Sequence, residues 1–151
     1  MKSFPPRFSA RSKTYRYQIC NEPVVSPFER AYVWHVPERL HIDAMQAAAA
    51  AIVGTHDFAA FRSTWTETKT TVRTITSSRI HAKADMTLAY EIAGDGFLRH
   101  MVRAITGTLV EIGRGWRSAE SMATLLDRGS RSEAGATAPP QGLFLVRVEY
   151  H

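Results

Sequence analysis

Tyr15, Tyr17 and Ile19 alternate with Arg16 and Gln18 along residues 14–21, TYRYQICN, a period of two that predicts a strand. Proline and glutamate break it at NEPVVSPFER, and AYVWHV reads as a short extended segment. The period changes at residues 42–53, where Met45, Ala48, Ala49 and Ile52 fall on one helical face within an alanine run, and Gly54 stands where a C-terminal cap belongs. HDFAAFR reads as one helical turn and the Thr-rich STWTETKTT as a loop. Residues 72–81 and 86–93 return to strand character around a turn at Lys83-Ala84-Asp85, predicting an antiparallel hairpin. Gly94, Asp95 and Gly96 then precede a helix over residues 97–112. Ser118 is placed to cap a further short helix reaching Leu126, with Glu120 and Ser121 in its first turn. The small-residue segment 127–141, DRGSRSEAGATAPPQ, is long enough for a functional or disordered loop, and LFLVRVEY, residues 143–150, is the last strand.

The order β-α-β-β-α-β is that of the ferredoxin-like split βαβ. The expected class is α+β: one antiparallel sheet with two helices on one face. A basic segment, residues 1–12, leads into a single domain, residues 13–151. This order also serves RNA-recognition motifs and acylphosphatases, so it does not assign a function by itself.

Charge narrows the choice. The 151 residues carry a formal charge of +5, and Lys2, Arg7, Arg11, Lys13 and Arg16 all precede the first acid, Glu22. Phe4, Phe8, Tyr15 and Tyr17 interleave with them, and a mixture of cations with stacking surfaces suits RNA. Cys20 is the only cysteine, so no disulfide can form within the chain, which fits a reducing, cytoplasmic setting. The start, MKSFPPRFSARSK, lacks the apolar core of a signal peptide, and no apolar run is long enough to span a bilayer. The six histidines show no HExxH-like spacing and there is no CxxC, so no metal is expected.

The 97–112 helix raises the sharpest question. At about 100° per residue, Phe97, Leu98, Met101, Val102, Ile105, Leu109 and Ile112 fill one half, and Arg103 lies nearly opposite. A charge placed so usually faces solvent. Its neighbours argue otherwise: Gly107 costs about 1 kcal/mol against alanine but lets another backbone approach, and Val110 gains nothing from water. Arg103 is therefore read as facing a partner surface, where a guanidinium can fork onto a carboxylate. Tyr15 and Tyr17 share one side of their strand, with cross-strand packing the simpler reading. Asp95, between two glycines, is a turn residue.

Four stretches in order, RFSARSKTYRYQI, HDFAAFR, GDGFLRHMVRAITGTLVEIG and ATAPPQGLFLVRVEY, resemble the C-terminal half of the bacterial tRNA pseudouridine synthase A family. The resemblance covers nearly the whole chain, and GDGFLRHMVR is specific when combined with RFSA…YRY and APPQGLFL. It implies isomerisation of uridines in the anticodon stem-loop of tRNA, two ferredoxin-like halves joined into one sheet with a cleft between them, a homodimer, and no metal or organic cofactor. By the same resemblance Tyr15 stacks on the target base and assists movement of the C5 proton. Arg103 pairs with the nucleophilic aspartate, Arg7 contacts tRNA at the cleft, and Gly142 and Leu143 belong to the segment lining the base pocket.

One departure is large. The family's nucleophile sits in a GRTDxGVHA-like motif of the N-terminal half, and none of Asp43, Asp57, Asp85, Asp95 or Asp127 has that setting. The chain reads as a C-terminal half, inactive without the other, and Asp95 is not the partner of Arg103. Two rival readings are a non-catalytic RNA-binding ferredoxin-like module and an acylphosphatase-like hydrolase. The first lacks the aromatic KGFGFV-like pattern of RNA-recognition motifs. The second lacks a glycine-rich anion loop after the first strand, where CNEPVVSPFER stands.

Overall fold

Alternation along the first strand sets the layers. In the computed structural model, which describes residues 10–63, 70–83 and 85–150 (Ala10 in backbone only), β1 (Ala10–Cys20) turns Tyr17 and Ile19 into the core and leaves Arg16 and Gln18 on the other face. Its neighbours repeat the pattern. Ile80 of β4 (Val72–Ala82) and Leu88, Tyr90 and Ile92 of β5 (Thr87–Gly94) are buried, and the two strands form the expected antiparallel hairpin. β5 also pairs antiparallel with β1, setting Tyr17 opposite Tyr90. β6 (Leu143–Tyr150) runs antiparallel along the other side of β1. The resulting order β6-β1-β5-β4 is the ferredoxin-like arrangement.

The sheet departs from expectation at its margins. It is mixed rather than purely antiparallel, because β2 (Trp34–His35) lies parallel to the end of β1. A sixth strand, β3 (Gly54–Asp57), pairs with β4 where one helical turn was expected. Only Ala59–Phe61 of HDFAAFR forms a turn, of the 3-10 kind. Its sequence, GTHD, carries no apolar alternation, and the strand is held by backbone pairing.

The helices cover one face, as expected. α1 (Ile42–Ala50) contributes Met45, Ala48 and Ala49 to the core and ends three residues early, the chain reversing at Gly54 with φ +116°. Gln46 donates to the Ile80 carbonyl at 2.8 Å and accepts from its N–H at 3.0 Å, closing the stretch of β4 that β3 does not reach. α2 (Met101–Gly113) begins later than its apolar period predicts. His100 adopts a left-handed conformation, φ +62°, and the Arg99 carbonyl accepts from Ser63 N–H at 3.2 Å instead of continuing a helix. α3 (Ser121–Arg128) follows, and Ser118 contributes its carbonyl, not a side-chain cap, accepting from the N–H and hydroxyl of Ser121.

The opposite face of the sheet is open and polar. Arg16 and Glu91, cross-strand partners, form an ion pair at 2.8 Å there. Among the described residues no helix is long and apolar enough to cross a membrane.

Candidate active site

α2 is not the half-solvated helix that its amphipathic pattern predicts. Every residue in it except Arg103 and Glu111 is buried, Thr106, Gly107, Thr108 and Val110 included. The cover comes from the segment after α3, expected as a functional or disordered loop. Residues 134–139 form a strap across this side of the helix. Gly135 N–H donates to Thr108 Oγ1 at 2.9 Å and Ala136 N–H to Glu111 Oε2 at 3.0 Å. A Cβ on Gly107 would stand 1.6 Å from the Ala136 carbonyl oxygen. Gly107 does admit a close backbone, but that backbone belongs to this chain. The missing neighbour inferred from Gly107 and Val110 is corrected accordingly.

Arg103 remains a separate case. Its Nε donates to the Ala138 carbonyl at 2.8 Å, and its own carbonyl accepts from Ala138 N–H at 3.0 Å. Its two terminal nitrogens have no partner among the described residues, and none of the described ion pairs includes it. One residue along the strap, the Pro139 carbonyl accepts from the Tyr17 hydroxyl at 2.6 Å. Adjacent carbonyls of the strap thus tie the helix bearing Arg103 to the strand bearing Tyr15. Burial pushes the Tyr17 phenol far up, against a smaller opposing pull from Arg103. Tyr17 is therefore a fixed hydrogen-bond donor and part of the scaffold.

Tyr15 lies two residues earlier on the same face, half-buried, with its ring edge-on to Phe97 at 5.0 Å. The ladder between β1 and β6 slips beside it. Thr14 pairs with Arg147 and Tyr15 with Leu145, leaving Val146 over as a bulge. Burial raises the Tyr15 phenol above its ordinary 10.0, so at neutral pH it is protonated.

Tyr15, Arg103 and Leu143 meet on one cavity of about 210 Å³, with Phe97, Arg99 and His100 also in its wall. Of the other expected residues, Gly142 stands just outside. It is buried, and a Cβ there would meet the Tyr17 ring and the Gln18 carbonyl at 2.8 Å, so it serves to seat β6 against β1. Arg7 lies outside the described residues. Asp95 accepts from Thr74 N–H at 3.2 Å, the turn role expected of it. Phe97 and His100 are residues that sequence reasoning passed over. Phe97 fits the helical stripe in the sequence, and nothing in the spacing distinguishes His100.

The cavity offers a flat aromatic wall, an aliphatic side and a fixed guanidinium with open nitrogens. Such a set can hold a planar ring by stacking and pair a carboxylate in bidentate fashion. Among the described residues no group of three or more His, Cys, Asp or Glu side chains is arranged to hold a metal ion.

The family model for tRNA pseudouridine synthase matches residues 48–151. A protein of Citrifermentans bemidjiense called tRNA pseudouridine synthase A is 49% identical over 148 residues, covering 97% of this chain and 59% of that protein. Its counterparts in Pelobacter propionicus and Myxococcus xanthus are 48% and 42% identical, with 97% and 99% of this chain and 60% and 56% of the relative covered. The chain spans about three fifths of the length of the curated relatives it matches. With the match running through both α2 and the strap, this chain belongs to the tRNA pseudouridine synthase family.

Proposed function

We propose that this chain supplies the base-holding half of an enzyme that converts uridine to pseudouridine in the anticodon stem-loop of tRNA. The observation that carries the reading is the convergence of Tyr15, Arg103 and Leu143, distant in sequence, on one cavity in a chain whose relatives are named for that reaction.

The reaction breaks the bond between uracil N1 and ribose C1′, turns the ring, and forms a bond between C5 and C1′. A proton leaves C5 and N1 gains one, so no redox partner is required. The ring must be held while it belongs to no sugar. Tyr15, braced edge-on by Phe97, is the stacking wall, and Leu143 limits escape. At its ordinary value of 10.0 a tyrosine is phenolate in about one molecule in a thousand at pH 7, and burial lowers that share. Tyr15 is accordingly a stacking and hydrogen-bonding group first, and a base for C5 only at extra cost.

Arg103 pairs with the nucleophilic aspartate of an N-terminal half. A carboxylate must stay ionised to attack, and an adjacent guanidinium favours that form. Joining of the halves has a place to occur: β6 is an edge strand whose Leu145, Val146 and Tyr150 are exposed, apolar surface that a further strand would cover. The same reading gives a homodimer acting in the cytoplasm without metal or organic cofactor, with Arg7 contacting the tRNA.

The test is reconstitution. Purified chain is mixed with the N-terminal half of a relative and pseudouridine is measured in an anticodon-arm transcript. Formation only in the mixture supports the reading. Salt-dependent RNA binding with no pseudouridine in any mixture replaces it with the non-catalytic RNA-binding module.

A further inference from the structure

A second cavity, about 240 Å³, adjoins the first. Arg62, Ser63, His100, Ala104, Arg131 and Thr137 line it, and His100 is common to both. Its wall carries arginines and hydroxyls and no carboxylate. That lining suits an anionic group.

Arg16, Arg114, Arg117 and Arg147 each meet a carboxylate at 2.8–3.7 Å. Of the arginines that form no ion pair among the described residues, Arg62, Arg99, Arg103 and Arg131 line one or other of the two cavities, while Arg11, Arg30, Arg39, Arg73, Arg79 and Arg128 line neither. Arg131 is fixed in place: it donates to the Gly135 carbonyl at 3.0 Å and to Thr137 Oγ1 at 2.5 Å, two of its five donors. Arg62 is exposed and its guanidinium makes no described hydrogen bond. His100 responds to this surplus of charge. Desolvation, then Arg103 and Arg99, hold its imidazole below the ordinary 6.5.

We propose that Arg62 and Arg131 clamp a phosphodiester of the RNA backbone in this second cavity, beside the cavity that takes the base. The inference rests on the RNA-modifying reading above and deepens it. During isomerisation the base is cut from its ribose, so contacts to the base no longer hold the strand. A clamp on the backbone keeps C1′ in reach while the uracil turns, and it carries no sequence preference of its own. The strap serves both cavities, with Ala138 on Arg103 and Thr137 on Arg131.

The experiment is a salt series of anticodon-arm hairpin binding to the 151-residue chain, read by fluorescence anisotropy, for wild type, Arg62→Gln, Arg131→Gln and Arg128→Gln. Arg128 ends α3 and lines neither cavity. Arg62→Gln is expected to weaken binding about tenfold and to reduce the slope of log K against log salt by about one. Arg128→Gln leaves both unchanged. One hairpin carrying a single neutral methylphosphonate linkage reproduces the slope loss and adds nothing to it in Arg62→Gln. Wild-type behaviour in both cavity variants overturns the clamp and leaves the RNA reading standing, as does an equal loss in Arg128→Gln. Absence of salt-dependent binding by wild type overturns the clamp, and the reconstitution above decides the RNA-modifying reading separately. Protection by inorganic phosphate, with no single linkage of the hairpin mattering, assigns the cavity to a free anion and also overturns the clamp. Arg62→Gln decides if Arg131→Gln disturbs the strap.

Discussion

Arg103 and Arg114 stand near opposite ends of α2 and live in different surroundings. Arg114 is surrounded by its own chain: its guanidinium lies 4.6 Å from the Trp116 ring centre and 5.8 Å from that of Trp34, and 3.3 Å from a Glu38 oxygen. Arg103 is gripped through Nε by one strap carbonyl and meets no carboxylate among the described residues. Both are half-buried, so exposure alone does not separate them. What separates them is whether a described residue brings a carboxylate to them. A charge that a fold holds rigidly and leaves unpaired is arranged for something the fold does not itself supply.

The largest expected effect tests that distinction. In enzyme reconstituted with an N-terminal half, Arg103→Ala should lower turnover by about 150- to 5,000-fold, the kinetic equivalent of stranding a buried charge at about 3–5 kcal/mol. Arg99→Ala should change it far less. Arg103→Lys should recover only part, because an ammonium cannot fork onto a carboxylate. Equal losses at Arg99 and Arg103 would return Arg103 to an ordinary surface role.

Gly107→Ala probes the strap. Helix propensity alone would stabilise by about 1 kcal/mol, but the new Cβ would sit 1.6 Å from the Ala136 oxygen. The strap must yield, and a net loss of about 2 kcal/mol in urea denaturation is expected, with turnover falling alongside. A gain in stability would show that the strap is not seated as described.

Arg114→Ala is the mirror of Arg103→Ala. It should cost about 2 kcal/mol of stability through lost stacking on the two tryptophans, with turnover of the remaining folded enzyme unchanged. The pair with Glu38 adds little, since that carboxylate is half exposed. A turnover defect at constant stability would erase the contrast between the two arginines.

The smallest effect belongs to His100. Its imidazole should titrate below 6.5 in the free chain when followed by NMR, and move upward when the hairpin binds. The sign follows from the charges facing it: Arg99 and Arg103 from its own segment, Arg62 from the end of the 3-10 turn Ala59–Phe61, Arg131 from the far cavity wall. A bound phosphate offsets these cations and favours the imidazolium, so binding strengthens as pH falls through the bound value. An unmoved resonance would place the RNA elsewhere.

The parts of this molecule legible in its sequence are those whose pattern answers to burial. Tyr17 and Ile19 and the β4–β5 hairpin alternate and form strands where alternation places them, while LFLVRVEY forms the last strand on its apolar, β-branched content without alternating in burial. β3 escaped because GTHD is an edge strand joined by backbone bonds that leave no trace in side-chain pattern. The start of α2 was misplaced because Phe97 and Leu98 fit a helical period, while the turn at His100 depends on a bond from Ser63, distant in sequence. The candidate site divides likewise. Tyr15, Arg103 and Leu143 were named by resemblance and do share a cavity, but Gly142 packs beneath Tyr17 instead of lining it. Arg62 and Arg131 gave no signal, because only the path of the chain brings them together.

On the proposed function, Arg103 meets a carboxylate supplied from outside the described residues. The most direct measurement is pseudouridine formed in an anticodon-arm transcript by the chain alone, by the chain with an N-terminal half, and by Arg103→Ala with the same half. The expected result is no product from the chain alone, product from the wild-type mixture, and near-complete loss in the variant mixture. Product from the chain alone, or a variant mixture as active as wild type, would contradict it.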